Sequence, residues 1–170
     1  MSIIKKIIFL IFTIAFVAEA NAEEVKKMGT HKDWETYIIN SEKGKVCFAQ
    51  SKPVLQSPKT SSREARLFIT FRPSENIINE ISITAGYEFN KKNMVTAISG
   101  KKKYNFDMMQ DEFAWMKDTE NKFEKRMIKT MKKGSRIMIV GHNQQGSQTK
   151  DHYSLLGFTK AYNATKANCS

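Results

Sequence analysis

The chain has 170 residues, 28 Lys and Arg against 17 Asp and Glu, a formal net charge of +11, and two cysteines. That length suits one domain with its own core, and two cysteines without a C-x-x-C spacing argue against a metal cage or a redox pair. The charge admits anionic partners but fixes none, because a Lys-, Ile- and Asn-rich composition gives the same balance on a solvated surface.

The first residues have the three parts of an export signal: Lys5 and Lys6, an apolar run over 7–18 interrupted by Thr13, and the small-x-small pattern Ala20-Asn21-Ala22. Cleavage is expected after Ala22, leaving a basic mature chain in the periplasm or outside the cell. The apolar run is well short of the ~20 residues a span needs, and no later segment is longer, so the mature chain is expected to lack a transmembrane segment. In such a compartment Cys47 and Cys169 are expected to form one disulfide between an early strand and the C-terminus.

Residues 23–32 are charged and without periodicity, and read as a flexible mature N-terminus; 33–170 reads as one domain. Strands are expected over 34–39 and 45–50 with Gly44 in the turn between them. Residues 51–64, with Pro53 and Pro58, read as a long loop. A strand follows over 65–71, with Leu67, Ile69 and Phe71 on one face, then a cleaner alternation over 79–87. Short strands over 94–98 and 104–106 are bounded by Asn90-Lys91-Lys92-Asn93 and Ser99-Gly100-Lys101-Lys102, which read as hairpin turns. Turns at opposite ends of a meander disperse their lysines, which argues against a nucleic-acid groove. Residues 119–133 predict a helix: Phe123, Met127 and Met131 recur every fourth residue beside Ile128, Asp118 or Thr119 caps the start, and Gly134 stops it. A final hairpin joins 136–142 to 148–155 through a turn in which Gly146 supplies positive φ, and a short helix closes the chain over about 158–167. Many short strands with regular turns and one or two helices predict a mainly β, antiparallel β-sandwich.

No catalytic or cofactor motif is present: no G-x-S-x-G, no H-E-x-x-H and no phosphate-binding glycine loop. Asp151-His152-Tyr153-Ser154 has the residue types of a nucleophilic triad, but on a strand Asp151 and Tyr153 face one way and His152 and Ser154 the other. Asp151 is instead expected to be structural, accepting backbone N–H groups near Gln148 or Thr149. His142 and His152 are not expected to pair across the hairpin, and no metal site is expected. A compact pocket holding Trp115, Tyr87 or Arg136 would favour binding of an anionic small ligand or glycan.

Several segments together resemble the invasion-associated locus B (IalB) family of exported bacterial proteins. They are Asp33-Trp34, Val46-Cys47-Phe48-Ala49, Ser51-Lys52-Pro53, Arg72-Pro73, Asn79-Glu80-Ile81-Ser82, Ala85-Gly86-Tyr87, Ala114-Trp115, Met131-Lys132-Lys133-Gly134, and Gly146, Thr149 and Asp151 leading into Tyr153-Ser154-Leu155, Gly157-Phe158, Ala161 and Cys169. The resemblance spans nearly all of the expected mature chain and implies an immunoglobulin-like sandwich in the envelope or outside the cell, without catalytic residues; the namesake role is in host-cell entry. Family members often have Arg-Gly-Thr where this chain reads Gln145-Gly146-Ser147, and some have a second cysteine pair that it lacks. The expected function is non-enzymatic binding of a macromolecule, an envelope or host-surface component, with periplasmic binding of a small ligand or anionic glycan as the alternative and no cofactor.

Overall fold

A computed structural model describes residues 24–59, 63–116 and 122–169. The expected export signal and its cleavage site at Ala22 lie outside these residues, as do the expected helix caps Asp118 and Thr119. Twelve strands and two helices are present among the described residues. In chain order the strands are β1 (Val25–His31), β2 (Trp34–Ser41), β3 (Gly44–Ser51), β4 (Leu55–Ser57), β5 (Arg66–Arg72), β6 (Ile77–Thr84), β7 (Val95–Ser99), β8 (Lys102–Phe106), β9 (Met108–Gln110), β10 (Phe113–Trp115), β11 (Arg136–His142) and β12 (Gln148–Ser154). Helix α1 (Lys122–Met131) lies between β10 and β11, and α2 (Phe158–Asn168) closes the chain.

The strands form two antiparallel sheets, one of seven in the order β1-β2-β3-β5-β6-β10-β9 and one of five in the order β4-β12-β11-β7-β8. This is the predicted β-sandwich. The period of two assigns the faces: Trp34, Cys47, Ala49, Leu67, Ile69, Ile81 and Ile83 point inward from the larger sheet, and Ile137, Ile139 and Tyr153 from the smaller, all buried. Phe158, Ala161, Tyr162 and Thr165 of α2 recur at helical spacing and are buried. Phe158 packs edge-on against Trp34 with ring centroids 4.9 Å apart, so α2 fills the interior beneath β2, β3 and β5. Burying Trp34 is worth about 5 kcal/mol by area, before entropy.

Four expectations need correction. Within the flexible lead-in expected over 23–32, Val25–His31 is instead a strand that pairs antiparallel with β2, from Val25 opposite Ile39 to His31 opposite Trp34. Its side chains are largely exposed, so backbone hydrogen bonds hold it without a hydrophobic alternation for sequence reading to find. Asn90-Lys91-Lys92-Asn93 is not a hairpin turn, because β6 and β7 belong to different sheets and the connection crosses between them, stitched by a bridge from Phe89 to Asn143. The loop over 51–64 contains β4, which adds to the edge of the smaller sheet beside β12. On α1, Met127, Ile128 and Met131 are buried as expected, but Phe123 is 46 % exposed. The predicted β11–β12 hairpin is present, with Gly146 at φ 84° in its turn.

Candidate functional site

Alternation along β12 buries Thr149, Asp151 and Tyr153 and turns His152 and Ser154 outward. The triad arrangement is therefore not built, as the strand period predicts. Asp151 does not cap a turn either. Its carboxylate takes a two-pronged salt bridge from Arg63, which also donates to the Ala85 carbonyl at 2.9 Å. The side chains are only 10 % (Arg63) and 3 % (Asp151) exposed. Gln56, opposite Asp151 on β4, bonds the Arg63 backbone through both ends of its amide, at 3.3 Å each, and reaches the Asp151 carboxylate at 3.4 Å. Tyr87 lies beside the guanidinium, 5.6 Å from ring centroid to Cζ, and its hydroxyl shares a 2.6 Å hydrogen bond with Thr149.

Burial pushes the Tyr153 phenol well above its ordinary range, with the nearby Asp151 charge adding to the effect, so it stays protonated. Its hydroxyl is buried without a hydrogen-bond partner among the described residues. The Ser154 hydroxyl accepts a bond from the Leu156 N–H at 3.2 Å. His142 stands opposite Gln148 and His152 opposite Met138, so the two histidines are not cross-strand neighbours. The Asp151 cluster ties β4, β12 and the segments around Arg63 and Ala85 together. Sequence reading missed Arg63, which lies in a polar stretch outside any alternating pattern.

Trp115, Tyr87 and Arg136 stand in three separate places. Tyr87 belongs to the Arg63 cluster, Arg136 is exposed at the start of β11, and Trp115 lies on the outer face of the larger sheet. That outer face carries a continuous aromatic row. Tyr37 stacks on Phe48 at 5.1 Å, Phe48 meets Phe68 at 6.0 Å, Phe68 meets Phe113 at 6.4 Å, and Phe113 stacks on Trp115 at 5.7 Å. The row crosses from β2 to β10 and is half-buried along its length, with Phe113 39 % exposed. Its signal in the sequence is the outward position of each strand, the one opposite the core face.

Charged pairs of both signs border the row. Lys27 pairs with Glu35, which also accepts from the Tyr37 hydroxyl at 2.8 Å and from Gln50 at 3.3 Å. The Lys27 hydrogen bond, then that of Tyr37, lowers the Glu35 carboxyl to about 2. Arg72 bonds both carboxylate oxygens of Glu80 at 3.0 Å each, and Arg66 pairs with Glu64.

A cluster of cations stands on other elements, β8 and α1. Lys102 and Lys103 of β8 stand with Arg126 and Lys129 of α1 around a cavity of about 680 Å³. Lys102 and Lys103 thus stand beside cations of a helix, a proximity that the order of strands along the chain does not reveal, while Lys91 and Lys92 of the earlier segment are not among the residues around this cavity. Cys47 and Cys169 form the expected disulfide, spanning 122 residues. Among the described residues, no helix is long and apolar enough to cross a membrane.

Comparisons with known proteins agree with this architecture. A crystal structure of invasion associated protein B from Bartonella henselae is similar in fold, with a TM-score of 0.55 over 82 % of this chain and 95 % of that one, at 13 % sequence identity. A search of curated proteins returns no match. The family model described as invasion associated locus B (IalB) protein matches residues 34–166. The chain belongs to the IalB family.

Proposed function

We propose that this is an exported, non-enzymatic binding module that docks a protein partner of the cell envelope or of a host surface through the outer face of its larger sheet. The aromatic row from Tyr37 to Trp115 supports this reading. Apolar rings with little conformational freedom at the centre and paired charges at the border make the usual composition of a protein interface. Seven strands at ~4.8 Å spacing, each up to ~24 Å long, give a face on the order of 600–800 Å², which approaches the ~800 Å² per partner of a standard interface. Charge pairs of both signs favour a protein with a mixed surface over a polyanion. Export is supported by the disulfide and by family membership.

The test is capture from envelope and host-membrane extracts at high salt, comparing the wild-type protein with a Phe68→Ser/Phe113→Ser/Trp115→Ser variant of matched melting temperature. One identified protein, held by the wild type and lost by the variant, is the expected result, and its compartment assigns the role. Capture that survives the triple substitution, or turnover of any substrate abolished by Asp151→Asn, would overturn the reading.

A further inference from the structure

Lys125, Lys129 and Lys132 lie along one side of α1 and its last turn, with Lys133 one step on, because residues three and four apart share a helix face. With Asn79, Ile128 and Tyr162 they line a cavity of about 310 Å³, within the range of small-ligand clefts. The surroundings differ from those of the cations around the aromatic row. There Lys27, Arg66 and Arg72 each have a carboxylate partner, whereas none of these four ammonium groups has one among the described residues. Lys129 stands four residues from both Lys125 and Lys133, a like-charge spacing that destabilises a helix.

The floor of the cavity is fixed. The Tyr162 hydroxyl donates to Asn79 Oδ1 at 2.6 Å, and the Lys132 ammonium sits 3.9 Å from the centre of the Tyr162 ring. Burial, and then the charge of Lys166, pushes the Lys132 ammonium below its ordinary range. A crowded, unneutralised set of cations around a rigid concavity is what a multiply charged oxyanion complements. The negative end of the α1 dipole lies at Lys132 and Lys133, so the side-chain ammonium groups must supply the attraction. From Lys125 to its end at Met131 the helix advances about 9 Å, with Lys132 and Lys133 in the turn beyond it, room for a diphosphate or a phosphorylated sugar.

We propose that this cavity binds a phosphate-bearing ligand, with Lys129 and Lys132 at its centre and Lys125 and Lys133 at its ends. The site is separate from the aromatic face, so either proposal can fail alone. The experiment titrates the oxidised protein with inorganic pyrophosphate by calorimetry at physiological salt. In parallel it measures binding to phosphatidylcholine vesicles with and without phosphatidic acid. Saturable binding is expected in at least one arm: pyrophosphate alone assigns a soluble phosphate ester, and phosphatidic acid alone assigns a lipid headgroup. Lys129→Gln/Lys132→Gln should weaken it at least about tenfold, with melting unchanged. Lys91→Gln/Lys92→Gln, which removes equal charge from an exposed crossover, should change it less than about twofold. Absence of saturable binding in both arms, or equal weakening by the two double variants, would overturn the proposal.

Discussion

Replacing Asp151 with alanine removes one half of a buried ion pair and leaves the other half in place. The Arg63 side chain is 10 % exposed, and without Asp151 its guanidinium keeps, among the described residues, only the Ala85 carbonyl and the Tyr87 ring. Breaking a buried pair from one side costs about 3–5 kcal/mol, because an uncompensated charge stays out of water. That is a large share of the ~5–15 kcal/mol that holds a domain together, and it exceeds the ~1–3 kcal/mol expected for losing a hydrogen-bond acceptor alone. In urea unfolding with the disulfide intact, the midpoint of Asp151→Ala should fall by about 2 M for a slope of ~2 kcal/mol/M. Arg63→Met/Asp151→Leu should recover most of the loss, since well-packed apolar residues replace a buried pair at little cost. A loss below about 1 kcal/mol in Asp151→Ala, or a double variant as unstable as the sum of the singles, would refute the reasoning.

Tyr153→Phe removes a buried hydroxyl that has no partner among the described residues, so it should leave stability unchanged or raise it by up to about 1 kcal/mol in the same assay; a loss would mean that the hydroxyl is satisfied. The Glu35 carboxyl, lowered to about 2 chiefly by Lys27, should titrate there by NMR and move up toward the ordinary glutamate range in Lys27→Met. Because its folded value is depressed, its contribution to stability is present above the unfolded value of ~4.3 and is lost as pH falls through about 2; the pair is partly exposed, so the contribution is small. A Cβ on Gly157 would lie 1.8 Å from the His31 carbonyl oxygen, at φ 89°. Gly157→Ala should therefore cost more than about 3 kcal/mol, and a melting temperature within a few degrees of wild type would count against the close approach of β1 to α2.

The elements legible in the sequence are those whose side chains report their own environment. β11 and β12 alternate cleanly around a glycine turn, α2 repeats its buried residues at helical spacing, and the two cysteines could pair only with each other. The hidden elements are held by backbone or by distant neighbours. β1 buries almost nothing and persists through its ladder to β2. β9 and β10 are three residues each, too short to show a period. Arg63 gives no local sign of its role, because its partner is 88 residues away, on β12. The aromatic row was present as outward-facing residues on separate strands, but only sheet order brings Phe68 beside Phe113. The same holds for the cation cluster, where β8 and α1 are apart in sequence and joined in space.

Trp34, the first large core residue, packs on Phe158 near the chain's end, and its indole N–H donates to the Ser154 carbonyl at 3.0 Å. Cys47, on the third strand, waits for Cys169, the last residue but one. A ribosome-bound fragment of this protein thus has no lid for its largest side chain and no mate for its early thiol. Contacts of such long range form late and slowly, so the nascent chain stays loose until its final helix emerges. Under the export proposed above, a protein built this way would be threaded across a membrane before it has anything to unfold, and one covalent stitch would then lock it shut.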